Sequence, residues 1–224
     1  MVRCIQCNKQ FVEPLNAVTI FKPAMIFCKQ CEIVWEAVRI RGKTRRCPRC
    51  LKLLGADEQM CLDCEWLARN YTLMNQLYSQ FQYDGVMKTL LQRYKFDKDV
   101  ALCEQLAAII SFPKQRYDLI IPIPSPVERD CQRTFNPVRM VLSHLQIRYK
   151  AIIVMDYRAK QANLSKSARM QARNPFQIVD DVDLADAQVL LIDDIYTTGL
   201  TVHQAAEKLF VRKIRKFDVF TFAR

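Results

Sequence analysis

No stretch of this chain holds the unbroken run of about twenty apolar residues that a membrane-spanning helix needs, so no membrane span is expected. The N-terminus shows neither the apolar h-region nor the small-residue cleavage site of a secretory signal, which makes a cytoplasmic address the default expectation. Histidine is scarce, at two in 224 residues, and neither stands among the cysteine groups described below. Acidic residues are missing altogether between Arg39 and Lys52, where Arg39, Arg41, Lys43, Arg45, Arg46, Arg49 and Lys52 are all positive.

What is present is enough apolar sequence for a real core, half of all residues, together with ten cysteines. The length suits one α/β domain with a small appendage, or two small domains. Eight cysteines precede residue 65, as Cys4-x-x-Cys7, Cys28-x-x-Cys31, Cys47-x-x-Cys50 and Cys61-x-x-Cys64. In a reducing compartment such paired units mean metal rather than disulfides. A Cys-x-x-Cys bend offers two soft ligands, and two bends complete the tetrahedron that Zn²⁺ prefers. Sequential pairing gives two sites, with twenty residues between the first two units and ten between the last two. A crossed pairing, or a single occupied site beside a four-cysteine remnant, satisfies the same spacing. With no histidine and no open position, each site reads as structural rather than catalytic. Residues 1–65 are therefore read as a zinc-binding module in which metal substitutes for a core, and residues 66–224 as an α/β domain. The formal charge of +11 falls to about +7 once eight thiolates and two zinc ions are counted, still basic enough to favour anionic partners.

The basic run has two readings. It is a solvated surface, or Arg39, Arg41, Lys43, Arg45 and Arg46 contact nucleic-acid phosphates from a loop or hairpin around Gly42. Trp35 and Trp66 flank it, either as base-stacking faces or as parts of a miniature core.

The chemistry speaks most directly near the other end. Val189-Leu190-Leu191-Ile192 predicts a strand buried on both faces of a parallel sheet, and Asp193-Asp194 follow where it should end. Ile195-Tyr196-Thr197-Thr198-Gly199-Leu200-Thr201 then predicts a hydroxyl-rich turn into a helix with Val202, Ala205, Ala206 and Leu209 on its apolar face. Ligands of open α/β sheets sit at the carboxyl ends of strands, and a helix N-terminus is a seat for phosphate. Gly199 lets the backbone approach an anion. Two acids beside that anion make sense if they hold ribose hydroxyls or a divalent cation. The implied ligand is a phosphorylated sugar.

Elsewhere, residues 66–83 read as a link followed by a strand or hairpin arm. Helices are predicted from Val86, Leu90, Leu91 and Tyr94, and from Leu102, Leu106, Ile109 and Ile110. Asp118–Pro124 reads as a strand running into a proline-stiffened loop. Arg129 and Arg133, at i,i+4, suit a second anion if the loop turns helical, or are ordinary surface arginines. Val138, Val141, Leu142 and Leu145 mark a further helix, Ile152–Met155 a strand, and 156–173 a basic segment fit to be a flap. Asp180, Asp181, Asp183 and Asp186 read as solvated, and Phe217–Phe222 as the last strand. Strands alternating with helices argue a mostly parallel sheet.

The acid pair with its Thr-Thr-Gly-x-Thr turn resembles the phosphoribosyl-pyrophosphate (PRPP) signature of type I phosphoribosyltransferases. The chain as a whole resembles the ComF family, competence-associated phosphoribosyltransferase-like proteins. Besides that motif, Ile121–Pro124 with Arg133-Thr134-Phe135-Asn136-Pro137 carries the likeness. So do Gln161, Leu164, Arg169, Arg173-Asn174 and Phe176, and the four cysteine units in front. The resemblance implies a factor of natural transformation that engages PRPP and incoming single-stranded DNA beside a helicase-like ATPase. It also implies that Asp193 and Asp194 hold ribose hydroxyls and that Thr197, Thr198, Gly199, Leu200 and Thr201 hold the 5′-phosphate. Pro122, Ile123, Pro124, Ser125 and Arg133 would lie near pyrophosphate and its Mg²⁺. Three positions depart from the family pattern: Thr134 stands for a glycine, Leu200 for a small residue, and Lys213–Lys216 lacks the expected glycine. These bear on turnover more than on binding. An active transferase with an unknown acceptor, and a non-catalytic interaction adaptor, are the alternatives.

Overall fold

A computed structural model describes residues 1–13, 21, 24–42, 44–155, 174–179 and 182–224. The basic segment 156–173 read as a flap, Lys43, Asp180 and Asp181 lie outside these residues. The frame is a four-stranded, fully parallel sheet in the order β3 (Leu77–Tyr78), β8 (Lys216–Ala223), β7 (Gln188–Ile195), β4 (Leu119–Pro122). The two central strands are the most apolar: Val189 to Ile192 and Phe217 to Ala223 are all buried, as a sheet covered on both faces requires. The register sets Pro122 beside Ile192 and Thr221 beside Asp193, so β4 ends on the rim where the acid pair of β7 begins.

Period-two alternation divides the side chains between two cores. Leu190, Ile192, Phe220 and Phe222 face α3 (Gly85–Phe96), α4 (Leu102–Ile109) and α6 (Pro137–His144). Val189, Leu191, Phe217 and Val219 face α7 (Leu200–Val211), whose Val202, Ala205, Ala206 and Leu209 fill the gap. Local chemistry sets the helix starts. Asp84 caps α3, and Asn136 caps α6 by accepting from the Arg139 amide (2.9 Å) with Pro137 in the first turn. The Tyr94 hydroxyl donates to the Pro137 carbonyl (3.0 Å) and ties α3 to α6.

The cysteine-rich part is built into the same frame. Cys4, Cys28, Phe27 and Trp35 belong to the α3-side core, whereas Cys47, Cys50, Cys61 and Cys64 belong to the α7-side core. Trp35 is fully buried, stacked on Phe27 (5.4 Å) and edge-on to Phe81 (5.3 Å), so it is core and not a base-stacking face.

Several elements differ from the sequence reading. Residues 66–83 begin inside α2 (Leu62–Asn70), because Cys61 starts a helix that runs through the end of the cysteine unit. The arm that follows is the two-residue edge strand β3, held to β8 in part by buried Asp218. That carboxylate accepts from the Gln76 amide (3.0 Å), Asn75 (3.1 Å), Gln115 (2.6 Å) and Tyr117 (2.8 Å). The strand at Ile152–Met155 is β5 (Ile153–Met155), but it leaves the parallel sheet and pairs antiparallel with β6 (Phe176–Ile178), an element too short to show periodicity. Among the described residues no helix is long and apolar enough to cross a membrane.

Candidate functional site

Asp193 and Asp194 occupy the exit of β7 and point to opposite faces. Asp194 turns towards α3 and forms an ion pair with Lys95, a lysine only 9% exposed. Asp193 shares the α7-side face with Thr221 and accepts a hydrogen bond from the Asp194 amide (2.8 Å). Burial, and then the neighbouring Asp194 charge, push the Asp193 carboxyl up to about 7, against the smaller opposing pulls of the Asp194 amide and Lys95. Lys95 offsets one of the two charges, and Asp193 is poised to hold or release a proton near neutrality.

The turn after the acids is anchored from both sides. The Tyr196 amide donates to the Ala223 carbonyl (3.0 Å), locking the turn to β8. Gly199 has φ +85° and a Cβ there would collide with the Tyr196 hydroxyl, so only glycine fits. The first intrahelical bond of α7 runs from the His203 amide to the Gly199 carbonyl (3.1 Å), leaving the amides of Leu200, Thr201 and Val202 without intrahelical acceptors, as at any helix start. His203 Nδ1 also lies 2.7 Å from the Gly199 carbonyl, and Nε2 accepts from the Met74 amide (3.3 Å). These partners assign the proton to Nδ1. Burial pulls the imidazole down to about 4, so it stays neutral. Thr197 is exposed and Thr198 half-buried, the Thr198 hydroxyl oxygen accepting a long hydrogen bond from the Leu200 amide (3.5 Å).

On the adjoining strand the Ile123 amide donates to the Ile192 carbonyl (2.8 Å), so Pro122, Ile123 and Pro124 are buried beside the acid pair and Ser125 emerges next to them. The loop then turns helical, as α5 (Val127–Arg133), which puts Arg129 and Arg133 one turn apart. The Arg133 guanidinium lies 5.6 Å from the Phe96 ring centroid, a cation–π contact that orients it. Thr134 closes α5 in the left-handed conformation (φ 71°), and Lys213 does the same before β8 (φ 60°). The two positions lacking the family's glycine thus keep the backbone shape a glycine would take.

The cysteines assemble sequentially. Cys4, Cys7, Cys28 and Cys31 form one group and Cys47, Cys50, Cys61 and Cys64 the other, with all Sγ atoms in each group within 4.8 Å of one another. The Cys7–Cys28 and Cys50–Cys61 sulphurs are 3.8 and 3.4 Å apart, close to the edge of about 3.8 Å that a tetrahedron with Zn–S bonds of about 2.3 Å demands. Each group combines a knuckle with a helix start. In the knuckles the Cys4 amide donates to Lys9 O (2.9 Å) and the Cys47 amide to Lys52 O (2.7 Å), with Asn8 and Leu51 at φ near +60°. Cys28 and Cys61 are the N-caps of α1 (Lys29–Val38) and α2, whose dipoles favour thiolate. Both groups could hold a structural zinc ion, and the crossed pairing is not adopted.

The basic run is engaged mostly within the chain. Arg39 and Arg41 both pair with Glu36 (2.6 and 2.5 Å), whose carboxyl they hold below its usual range. Arg45 donates to Glu58 O (2.8 Å), Arg46 to Leu51 O (2.8 Å) and Thr44, and Arg49 to Asn75 O (2.9 Å). Their charges persist, but many of their donors brace the knuckles. Sequence reasoning missed three residues. Lys95 hides in the apolar stripe of α3, Arg224 follows a buried strand, and His203 was visible only as a histidine on a helix.

A parallel sheet whose central strand ends in an acid pair and a Thr-Thr-Gly-x-Thr helix start, flanked by a proline-rich loop, defines a type I phosphoribosyltransferase-like fold. Here it carries two four-cysteine groups. No protein-family model matches the chain. It is 28% identical over 233 residues to competence protein ComFC of Bacillus subtilis (strain 168), covering 99% of this chain and 94% of the relative. It is 27% identical over 234 residues to competence protein ComFC of Streptococcus pneumoniae (strain ATCC BAA-255 / R6), covering 99% of both. The likeness to the ComF family read from the motifs is thereby borne out along nearly the whole chain. Among solved structures, an allosteric regulatory enzyme of purine biosynthesis superposes with a TM-score of 0.35 at 13% identity, over 57% of this chain and 25% of that one. A hypoxanthine phosphoribosyltransferase from Staphylococcus aureus gives 0.31 at 17% identity, over 56% and 62%.

Proposed function

We propose that this protein is a competence factor that binds PRPP with Mg²⁺ at the β7–α7 turn and single-stranded DNA on its basic surface during natural transformation, beside a helicase-like ATPase. The observation that carries the reading is the clamped turn next to the acid pair: Gly199 held by His203, and Asp194 held by Lys95. In this reading Thr197 to Thr201 take the 5′-phosphate with helix-start amides and hydroxyls. Asp193 and Asp194 accept from the ribose hydroxyls. Pro122 to Ser125 and Arg133 line the pyrophosphate end, where bound Mg²⁺ would neutralise charge on the leaving group. Similarity to two competence proteins over the full length supports the cellular role. The zinc groups of residues 1–65 and the α/β residues 66–224 work as one unit in a cytoplasmic setting.

The test is a melting curve with PRPP and Mg²⁺. The wild type is expected to gain several degrees, and Asp193→Asn with Asp194→Asn to gain none. No shift in the wild type, with calorimetry also silent, would end the phosphosugar reading. The intact acid pair also favours a second reading, transfer of the phosphoribosyl group to an acceptor. Pyrophosphate release across a panel of acceptors separates the two.

A further inference from the structure

The second four-cysteine group lies against the phosphate turn. Tyr196, in the middle of that turn, is 2% exposed, and its hydroxyl is buried with no hydrogen-bond partner. The hydroxyl end of its ring leans over Gly199 so closely that no Cβ fits there. Arg224 faces the same ring, with its guanidinium carbon 5.7 Å from the ring centroid. The same guanidinium reaches the cysteines: Nη2 is 3.3 Å from Cys50 Sγ and Nε donates to the Cys50 carbonyl (2.5 Å). The Arg224 backbone is fixed, donating to Phe81 O (2.9 Å) and accepting from the Tyr83 amide (2.8 Å), which sets the root of the side chain within reach of Cys50 and Tyr196. One side chain therefore touches a ligand sulphur and the ring that floors the turn. Tyr196 and all four cysteines of this group also lie in one core, whereas Cys4 and Cys28 of the first group lie in the other.

We propose that Arg224 and Tyr196 are positioning residues that couple the second four-cysteine group to the phosphate turn, so that metal in that group and phosphosugar on the turn strengthen each other's binding. This rests on the PRPP reading. A zinc ion with four thiolates carries a net charge of about −2. That charge holds Arg224 against Cys50, and Arg224 in turn holds the Tyr196 ring over Gly199. Without the metal nothing holds the four sulphurs together, and the Cys50 knuckle that anchors the guanidinium is free to open. The ring is then free to shift, and the turn no longer keeps its helix-start amides converged. Linkage makes the effect reciprocal, since a ligand favoured by the metal-bound turn must also favour the metal.

The experiment is alkylation of the full-length, zinc-loaded protein in the presence of a chelator, with each cysteine followed by mass spectrometry, with and without PRPP and Mg²⁺. PRPP is expected to slow labelling of Cys47, Cys50, Cys61 and Cys64 by about fivefold or more while leaving Cys4, Cys7, Cys28 and Cys31 unchanged. Arg224→Ala should abolish this protection and weaken PRPP binding by a similar factor while retaining both zinc ions. Arg224→Lys, which keeps the charge without the fork, should restore part of it. Equal labelling of both groups while calorimetry shows PRPP bound would overturn the coupling and leave the phosphosugar reading standing. An unchanged PRPP affinity in a folded, zinc-loaded Arg224→Ala would do the same. Absence of PRPP binding to the wild type would overturn both.

Discussion

Lys95 of α3 is ion-paired with Asp194 at the exit of β7, a cation and an anion both largely withdrawn from water. The pair spans the α3-side core and fixes one of the two acids in the candidate site. Removing one partner of such a pair leaves an uncompensated charge, which costs more than the pair itself contributes. Lys95→Met is expected to lower stability by about 2–4 kcal/mol in urea denaturation at pH 7. The double variant Lys95→Met with Asp194→Asn should recover most of that loss. A single variant as stable as wild type would mean that Asp194 is solvated some other way.

Half-buried Asp193 and buried His203 titrate with opposite consequences. The Asp193 carboxyl sits at about 7 in the folded protein against an ordinary 3.8. The folded state therefore keeps a proton that the unfolded chain has lost, and its cost grows as pH rises from about 4, becoming complete above about 7. Asp193→Asn should stabilise the protein by about 1–3 kcal/mol at pH 8 and do almost nothing at pH 4.

His203 works the other way. Its folded value of about 4 lies below the ordinary 6.5, so the unfolded chain takes up the proton first as pH falls. The stability it confers is complete above about 6.5 and is lost as pH falls from there towards 4. Between those limits the two groups oppose each other. Asp193→Asn should consequently show a steeper acid loss than wild type over that window, measurable as the midpoint of urea unfolding against pH.

Thr134 and Lys213 hold left-handed backbone that side chains with a Cβ adopt at a cost of about 1–2 kcal/mol. Thr134→Gly and Lys213→Gly should each stabilise by about 0.5–1 kcal/mol, after allowing for the extra freedom glycine gives the unfolded chain. Thermal melts of the two single variants and their combination check this. The positions are far apart in sequence and belong to different turns, so the gains should add.

Single-stranded DNA binding, if it uses the Arg39–Arg46 run, must act through charge more than through free donors, because Arg39, Arg41, Arg45 and Arg46 already hold intramolecular acceptors. Anisotropy titrations should show affinity falling steeply with salt. Arg41→Ala, the change least tied to a knuckle, should reduce the salt slope by about one without altering sequence preference. A salt slope unchanged by Arg41→Ala would move the DNA path elsewhere on the surface.

The parts of the molecule legible in the sequence were those whose chemistry is contiguous. The strand–acids–turn–helix run from Val189 to Leu209 reads directly because one short segment supplies both the burial pattern and the candidate ligand groups. The cysteine units read for the same reason, though their pairing needed the fold. Lys95, His203 and Arg224 gave no comparable signal. Their roles come from side chains meeting across the sheet: α3 against β7, α7 against Met74, and the residue after β8 against Cys50. The short elements β3 and β6, of two and three residues, are set by their partners β8 and β5 rather than by their own periodicity. Thr134, which stands where the resemblance implies a glycine, keeps the left-handed geometry and bears the strain.

The placement of the two cysteine groups on opposite sides of the parallel sheet bears on how the chain matures. Each layer of the sandwich has one thiol cluster built into its apolar core, so disrupting either cluster should bare greasy surface on its own side of the sheet instead of shedding a dispensable appendage.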